Sequence, residues 1–218
     1  MNSESPKYIA VEGAIGAGKT SLARMLATKL NARLILEQFE ENPFLGKFYE
    51  DRKKYAFQTQ MFFLVNRYKQ LLDLQQYDLF TEYIVADYIF EKDRLFAELN
   101  LSPEELQIYN TLFPLLKKNI RKPDLVIFLH SSTDRLERNI HQRNREVEKH
   151  LNRDYLDSLS QVYSDYFFKD EQGRLLIVDS TDFDFVANKS DFDELLTEIF
   201  RDDSALVEYY KPKKQKLL

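Results

Sequence analysis

One glycine-rich stretch, GAIGAGKT at residues 13–20, constrains the fold of this chain more than any other part of its sequence. It fits the pattern GxxxxGK[ST] and lies between an apolar segment typical of a strand and an amphipathic segment typical of a helix. In that setting backbone N–H groups converge on phosphate oxygens, Lys19 reaches the outer phosphates and the Thr20 hydroxyl can bind Mg²⁺. An ordinary strand-to-helix turn is the alternative, but it leaves the Lys and Thr unexplained. We therefore predict a phosphate-binding loop.

This loop also concentrates glycine, since it holds three of the five glycines in 218 residues. Glycine permits left-handed backbone and lets the chain approach a ligand closely. The residues predicted to bind the nucleotide are Gly13, Ala14, Ile15, Gly16, Ala17, Gly18, Lys19, Thr20 and Ser21.

Apolar segments alternate with helical ones along the rest of the chain. Five segments are apolar throughout and rich in β-branched residues or Leu, which is typical of buried parallel strands. They are KYIAVEG, ARLILE, EYIVADYI, PDLVIFLH and RLLIVDS. Helical stretches separate them, and one of these opens at Ser102 with a capping box that Glu105 completes. The alternation predicts an α/β fold with a five-stranded parallel sheet flanked by helices.

The chain shows no internal repeat and no linker rich in Pro, Gly or Ser, so we predict one domain over residues 1–203. Residues 204–218 include the basic segment YYKPKKQKLL and are predicted to form a C-terminal tail. A solvated tail is the favoured interpretation, and a tail that binds polyanions is the alternative.

Composition excludes several functional classes. A net charge of -5 and a pI of about 5.4 argue against broad nucleic-acid binding, which needs a basic surface. The longest apolar runs fall far short of the roughly 20 residues that span a bilayer, so no membrane partner is expected. The chain has no cysteine, which excludes disulfides and thiolate metal sites. With no signal-peptide pattern at its N-terminus, we predict a cytoplasmic protein.

Two acidic residues follow predicted strands at the edge of the sheet where ligands of α/β proteins collect. Asp87 ends the third strand in YIVAD, where a carboxylate beside a phosphate-binding loop holds Mg²⁺. Thr20 and Asp87 are therefore the predicted metal ligands. Glu37 ends the second strand, and its carboxylate is placed to accept a proton from a hydroxyl nucleophile. A loop acid without a catalytic role is the alternative for both carboxylates.

Arginines follow the fourth predicted strand in the polar stretch RNIHQRNREVEKH. Arg143 and Arg145, with Arg138 a turn earlier, are placed to close over the phosphates as a lid and to stabilise a phosphoryl group in transit. A solvated helix face is the alternative for a stretch of mixed charge. We assign Glu37, Asp87, Arg143 and Arg145 to catalysis.

The long predicted helix YAFQTQMFFLVNRYKQLL carries two polar residues on one face. Gln60 and Arg67 are two turns apart, so they project together with Phe63 and Leu64. An amide beside an aromatic ring suits a flat nucleobase, because it can both donate and accept hydrogen bonds at the base edge. The alternative is a boundary Gln and a half-buried Arg on a core helix.

Four stretches together resemble one enzyme family: GAIGAGKTSLARML, LEQFEENPFLGKFYEDRKKYAFQTQMFFLVNRYKQ, VADYIFEKDRLFAELNLSPEELQIY and RNREVE. Over residues 7 to about 200 the sequence resembles the bacterial branch of the deoxynucleoside kinases, most of all its deoxyguanosine and deoxyadenosine kinases. The resemblance implies a P-loop kinase fold with an arginine-bearing lid. It implies that ATP, with Mg²⁺, phosphorylates a purine deoxyribonucleoside at its 5′-hydroxyl, in nucleotide salvage. It also implies a homodimer, or a heterodimer with a related kinase.

The resemblance further implies roles for single residues. Glu37 matches the glutamate that acts on the 5′-hydroxyl, and Asp87 matches an acid that helps hold Mg²⁺ and is sometimes described as the base itself. Further matches are Tyr49 and Glu148 for the sugar 3′-hydroxyl, Gln60 for the base edge, Arg67 and Asp93 as an ion pair lining the base pocket, and Arg143 and Arg145 for the lid.

Two positions depart from the family pattern. Many relatives read Arg-Gly-Arg in the lid, where this chain has Asn144 between its two arginines, so we expect a stiffer lid that keeps both charges. Many relatives also carry Arg directly after the third-strand acid, where this chain has Tyr88, a pattern closer to the deoxyguanosine kinases. We expect Arg67 or the lid to take over the role of that arginine between the catalytic base and a phosphate.

Two other functions are compatible with a phosphate-binding loop on such a sheet. One is a nucleoside monophosphate kinase, which needs extra arginines to hold the phosphate of its acceptor. Glu37 and Glu148 argue against it, because their carboxylates would repel that phosphate. A non-catalytic nucleotide-binding subunit is the other alternative. The presence of Lys19, Thr20, Glu37, Asp87 and both lid arginines argues against it.

Overall fold

The computed structural model describes residues 5–76, 82–169, 173–201 and 205–212. The five predicted strands are confirmed and pair in parallel throughout. They are β1 (Tyr8–Gly13), β2 (Arg33–Ile35), β3 (Ile84–Ala86), β4 (Leu125–His130) and β5 (Leu175–Asp179).

The sheet has six strands in the order β2-β3-β1-β4-β5-β6, rather than the five expected. The sixth, β6 (Val207–Tyr210), pairs in parallel with β5, with Tyr209 opposite Ile177. It lies within residues 204–218, the predicted tail, and its residues alternate between exposed and half-buried. An edge strand of this kind lacks the continuous apolar run that identified the buried strands. The basic residues of 213–218 lie outside the described residues, and the division of the chain at residue 203 stays a prediction.

Helices connect the strands and cover the sheet. Among the described residues they are α1 (Lys19–Leu30), α2 (Leu45–Glu50), α3 (Arg52–Leu72), α4 (Lys92–Asn100), α5 (Pro103–Lys117), α6 (Thr133–Arg143), α7 (Arg153–Lys169) and α8 (Lys189–Ile199). The predicted capping box of α5 is confirmed, since the Ser102 side chain accepts from the Glu105 N–H and the Glu105 carboxylate accepts from the Ser102 N–H. Within the described segments, no helix is both long and apolar enough to cross a membrane.

The core lies on both faces of the sheet. Val85 of β3 belongs to one buried cluster, and its neighbours Ile84 and Ala86 belong to a second. Because successive strand side chains point to opposite faces, the two clusters lie on opposite sides of the sheet. The second cluster includes Leu64 and Leu71 and so anchors α3. This fixes a long helix against β1, β2 and β3 on that face of the sheet.

Candidate active site

The predicted phosphate-binding loop joins β1 to α1, and its turns require glycine. Gly16 and Gly18 have φ angles of 89° and 94°, in the left-handed region that side chains rarely adopt. A Cβ atom at Gly16 would also lie 2.7 Å from the carbonyl oxygen of Leu136. Gly18 is the residue directly before α1, so the loop leads straight into a helix N-terminus, where backbone N–H groups are free to bind an anion.

Lys19 turns its side chain back into this loop. Its Nζ donates to the carbonyl oxygens of Gly13, at 2.9 Å, and Ala14, at 3.1 Å. Burial, and next the nearby ammonium of Lys92, lower the pKa of Lys19 to about 8. The Lys19 ammonium therefore lacks a negative partner that offsets its burial, and a phosphate chain in the loop would supply one.

The two predicted metal ligands lie together. The Thr20 hydroxyl donates to Asp87 Oδ2 at 2.6 Å, and the backbone N–H of Glu37 donates to Asp87 Oδ1 at 2.8 Å. Among the described residues no group of three His, Asp or Glu side chains could hold a metal ion. A hydroxyl and a carboxylate fit Mg²⁺, which is bound by few protein oxygens and completes its shell with phosphate and water.

Glu37 lies between two cations. Its Oε1 accepts from Arg67, at 2.9 Å from Nε and 2.5 Å from Nη2, and its Oε2 accepts from Lys92 Nζ at 2.6 Å. Burial acts to raise the pKa of Glu37, but Lys92 and then Arg67 outweigh burial and hold it well below its usual range. In this arrangement Glu37 is ionised and is a weak proton acceptor.

Asp93 holds the polar side chains of α3 in place. It is fully buried and accepts hydrogen bonds from Gln60 Nε2, at 2.6 Å, from the Tyr109 hydroxyl, at 2.8 Å, and from Arg67 Nη1. The predicted ion pair between Arg67 and Asp93 is thus present. Asp93 is fully buried, so it acts on the substrate side of α3 through its partners. Arg67 and Gln60 both line the cavity on that side of the helix.

Two cavities adjoin at the carboxyl edge of the sheet. The first, of about 370 Å³, we call the carboxylate cavity; its lining includes Lys19, Thr20, Glu37, Tyr49, Gln60, Phe63, Arg67, Asp87, Lys92, Arg143, Arg145 and Glu148. The second, of about 470 Å³, we call the loop cavity; its lining includes Gly16, Ala17, Gly18, Lys19, Thr20, Ser21, Arg135, Asn139, Arg143, Arg145 and Phe185. Lys19, Thr20, Arg143 and Arg145 line both cavities, so a group bound in one lies next to a group bound in the other.

The predicted lid lies at this junction. Arg143 ends α6 and donates to Glu148 from Nε, at 2.8 Å, and from Nη2, at 2.7 Å. The guanidinium carbon of Arg145 lies 4.4 Å from the centre of the Phe39 ring. Asn144 adopts the left-handed conformation, with φ of 46° and ψ of 48°. Asn is the residue after glycine that tolerates this conformation best, so the turn between the two arginines forms without glycine.

The sugar and base residues of the prediction also meet in the carboxylate cavity. Tyr49 lies on α2, and burial, followed by Tyr155 and Glu148, raises its pKa. Glu148 is buried at the end of a short 3₁₀ turn that follows the lid. The Phe63 ring centre lies 4.7 Å from the guanidinium carbon of Arg67. One cavity thus presents hydroxyl, carboxylate, amide and aromatic groups, which are the groups that recognise a sugar and a flat base.

Comparison with known proteins agrees with this geometry. A family model described as deoxynucleoside kinase matches residues 9–203. Deoxyguanosine kinase of Bacillus subtilis (strain 168) is 40% identical over 200 residues, which are 88% of this chain and 95% of that protein. The chain belongs to the deoxynucleoside kinase family. Deoxyadenosine kinase of Dictyostelium discoideum is 37% identical to this kinase over 164 residues, 73% of this chain and 66% of that protein.

A solved structure of deoxyadenosine kinase from M. mycoides with bound dATP is also similar to this kinase. The two share 25% sequence identity with a TM-score of 0.78, over 88% of this chain and 98% of that one. The family and the α/β fold predicted from the sequence are confirmed. The kinase is a phosphotransferase that acts on deoxyribonucleosides.

The structure brings most of the predicted site residues of the kinase together, and their individual roles stay predictions. Ile15 lines the carboxylate cavity rather than the loop cavity, whereas Gly16 to Ser21 line the loop cavity as expected. Gly13 and Ala14 bind Lys19 through their carbonyl oxygens instead of lining either cavity. The polar stretch RNIHQRNREVEKH is helical only as far as Arg143, because Asn144 leaves the helical conformation.

Sequence analysis missed several residues of the two cavities. Arg135 and Asn139 line the loop cavity, and Asn139 donates to the Gly16 carbonyl oxygen at 2.8 Å. They share one face of α6 with Arg143 at intervals of four residues, a spacing that could have identified them. Arg138, considered for the lid, is exposed and lines neither cavity. Lys92 was missed because α4 was not predicted.

Proposed function

We propose that this kinase transfers the γ-phosphoryl group of ATP to the 5′-hydroxyl of purine deoxyribonucleosides, with deoxyguanosine preferred and Mg²⁺ required, in nucleotide salvage. One observation carries the proposal: the loop cavity and the carboxylate cavity share four residues, all of them suited to binding phosphate or its metal ion. A donor phosphate held in the first cavity therefore lies beside an acceptor held in the second.

ATP is the donor in this proposal, and the loop and the N-terminus of α1 hold its phosphates. Lys19 supplies the charge that neutralises them, since its ammonium already lies inside the loop. Thr20 and Asp87 would hold Mg²⁺ through oxygen atoms, and the ion, when bound, offsets charge on the phosphates. Asp87 is assigned to the Mg²⁺ site through its hydrogen bond with the Thr20 hydroxyl, so we assign the role of base to Glu37.

The acceptor occupies the carboxylate cavity. Tyr49 and Glu148 hold the 3′-hydroxyl, and Glu37 receives the proton of the 5′-hydroxyl as that oxygen bonds to the γ-phosphorus. The bond between the γ-phosphorus and its bridging oxygen breaks, and ADP leaves with the electron pair. Arg143 and Arg145 stabilise the charge that spreads over the phosphoryl oxygens.

The hydrogen bonds of Gln60 support the proposed preference for deoxyguanosine. Its Nε2 donates to the backbone oxygen of Asp93, at 2.7 Å, and to Oδ1 of the same residue. The amide thus offers its oxygen to the base. Guanine presents two donors on one edge, N1–H and the N2 amino group, and fits an acceptor better than adenine does. The name of the Bacillus subtilis relative agrees with this choice.

A panel of the four deoxyribonucleosides with ATP and Mg²⁺ tests the proposal through kcat/KM. We expect deoxyguanosine to be best, and both purines to exceed both pyrimidines by about tenfold or more. Deoxyguanosine monophosphate should not accept phosphate, because Glu37 and Glu148 repel a charged acceptor. A pyrimidine as the best substrate would contradict the purine preference, and phosphorylation of the monophosphate would contradict the acceptor class.

We further propose that the kinase is a homodimer that pairs through α5. Ile108, Leu112 and Leu115 are 53%, 37% and 55% exposed, and their spacing places them on one face of the helix. A row of exposed apolar side chains is costly in water, and a second copy of the chain can cover it with the same row. Sedimentation should give about twice the 26.0 kDa of one chain.

Leu112→Asp tests this surface. It places a charge in the middle of the proposed contact, so we expect it to shift the kinase to monomers without unfolding it. Leu206→Asp is the matched control and should stay dimeric. Leu206 is also exposed, at 57%, but it directly precedes β6 and is not part of α5. A monomeric wild-type kinase, or a Leu112→Asp variant that stays dimeric, would contradict the proposal.

A further inference from the structure

Lys92 is a buried cation that the steps above do not use. It is the first residue of α4, its side chain is 6% exposed, and it lines the carboxylate cavity. Burial removes water from its ammonium, and the positive end of the helix dipole adds an unfavourable field. Packing alone therefore gives no reason for a lysine at this position.

The contacts of Lys92 differ from those of the other cation on Glu37. Arg67 also binds the fully buried Asp93, so it is anchored on two sides. Within the described part of the chain, Lys92 forms a direct ion pair with one carboxylate, that of Glu37 at 2.6 Å, and its charge also lowers the pKa of the fully buried Glu12 against the effect of burial. A lysine has a flexible four-carbon stem and rotatable donors. Of the two cations, Lys92 is the one that can leave Glu37 without breaking a second ion pair.

The other lysine of the junction shows where the Lys92 ammonium can go. Lys19 lines both cavities and Lys92 lines the carboxylate cavity, so the two ammonium groups share one cavity and repel each other. A γ-phosphoryl group at the junction brings negative charge into the same cavity. It relieves the repulsion and competes with Glu37 for Lys92.

We propose that Lys92 is a catalytic residue whose ammonium moves from Glu37 to the oxygens of the transferring phosphoryl group. The inference rests on the proposed function. As the 5′-oxygen bonds to phosphorus and ADP leaves, the hydroxyl proton passes to Glu37, while Lys92 keeps all its protons and donates hydrogen bonds to the phosphoryl oxygens. Its departure leaves Glu37 with one cation fewer. Glu37 Oε2, which accepts from Lys92 in the structure, is then free to take the hydroxyl proton.

Lys92→Met tests the proposal, because it removes the charge and keeps most of the side-chain length. We expect kcat with deoxyguanosine, ATP and Mg²⁺ to fall about 100-fold or more, as when one donor to a transition state is removed. KM for deoxyguanosine should change by less than about threefold, because Lys92 acts on the transferring phosphoryl group and not on the nucleoside. ADP, which lacks the γ-phosphoryl group, should bind with an unchanged Kd. Lys92→Arg should restore most of kcat.

Lys117→Met is the matched control. Lys117 pairs with Glu91 at 3.0 Å and lines neither cavity, so its loss should leave kcat and KM unchanged. The proposal is overturned if Lys92→Met keeps kcat within about threefold of wild type, or if KM for deoxyguanosine rises as far as kcat falls. The second result would indicate a purely structural role.

ADP binding distinguishes a folding defect from a loss of catalysis, because only a folded kinase binds ADP. If Lys92→Met does not bind ADP, Lys92→Gln replaces it in the test, because glutamine keeps a hydrogen-bond donor for Glu37. The same outcomes for kcat and KM then support or overturn the proposal. Failure of both variants to bind ADP overturns the proposal, because Lys92 would then be needed for the fold. A wild-type kinase with no activity toward any deoxyribonucleoside would instead contradict the proposed function.

Discussion

The two cavities of this kinase are built in different ways. The loop cavity takes six consecutive residues, 16–21, and is shaped by backbone conformation. Buried Glu12 supports it, because its carboxylate accepts from the backbone N–H of Gly13, at 2.8 Å, and of Ile89, at 3.2 Å. The carboxylate cavity takes charged side chains from α1, α3, α4, α6 and the segments after β2, β3 and α6. Three of its ion pairs, Arg67–Glu37, Arg67–Asp93 and Lys92–Glu37, join residues distant in the sequence.

This difference predicts two kinds of sensitivity. The loop cavity should fail when its backbone is obstructed, because its binding groups are N–H groups in a fixed conformation. The carboxylate cavity should fail when a charge is removed, because each buried ion there depends on its partner. Substitutions that separate steric from electrostatic effects therefore test the comparison directly.

The largest effect is expected from Glu37→Gln, which removes a charge from the carboxylate cavity and almost no volume. We expect kcat to fall by about 100- to 10,000-fold, the usual contribution of a general base. ATP should still bind with a near-normal Kd, because the loop cavity is unchanged. Steady-state kinetics and isothermal titration with ATP measure the two quantities.

Glu50→Gln is the control for this substitution, because Glu50 is an exposed acid at the end of α2 and lines neither cavity. Its kinetics should match the wild type. Near-normal turnover of Glu37→Gln would show that Glu37 is not the base and would transfer that role to Asp87.

The next largest effect is expected from Gly16→Ala, which obstructs the backbone of the loop cavity and changes no charge. A positive φ and a Cβ 2.7 Å from a carbonyl oxygen both oppose alanine there. We expect the free energy of unfolding to fall by about 1–3 kcal/mol, with weaker ATP binding. Urea titration measures the first effect.

Gly46→Ala is the matched control, since a Cβ at Gly46 meets nothing within 4 Å. It lies within α2, where alanine is favoured over glycine, so stability should stay equal or rise. Equal stability of Gly16→Ala and wild type would contradict a backbone-built loop cavity.

The contrast between the cavities also explains what sequence could predict. The loop, the five buried strands and the capping box of α5 depend on neighbouring residues, so local patterns identified them. Glu37 and Asp87 were located because parallel strands bring their carboxyl ends to one edge. The pairing of Arg67 with Asp93 came from a resemblance rather than from spacing.

The remaining features depend on tertiary contacts. The helix α4 is nine residues long, has no side-chain cap at its start and follows the apolar residues of β3, so its local pattern is weak. Lys92 went unnoticed with it. Neither its burial nor its contact with Glu37, 55 positions earlier, is visible in a sequence pattern. The edge strand β6 was missed for a related reason, because it has only four residues and the basic residues that follow it resemble a solvated tail.

A smaller effect is expected from pH, which should change ATP binding in the loop cavity through the protonation of Lys19. The pKa of Lys19 is about 8 without phosphate, and a bound triphosphate raises it. Above pH 8 the free enzyme loses this proton and the ATP complex keeps it. Binding should therefore take up nearly one proton at pH 9, and the Kd for ATP should rise about tenfold per pH unit.

Isothermal titration at pH 7 and pH 9, in two buffers of different ionisation enthalpy, measures the proton uptake. Lys19→Met provides the control, since it should bind weakly at both pH values with no buffer dependence. Binding heats for the wild type that are independent of the buffer at pH 9 would contradict a neutral Lys19 in the free enzyme.

The smallest effect is expected at Asn144, where the lid depends on both backbone and charge. Its left-handed conformation suits Gly and Asn and opposes Ala. Asn144→Gly should keep the free energy of unfolding within about 0.5 kcal/mol of wild type, whereas Asn144→Ala should lose about 1 kcal/mol. Both variants keep Arg143 and Arg145. If kcat depends on the charges of these two arginines, it should change less than about twofold in Asn144→Gly. A large rise of kcat in that variant would show instead that lid stiffness limits turnover.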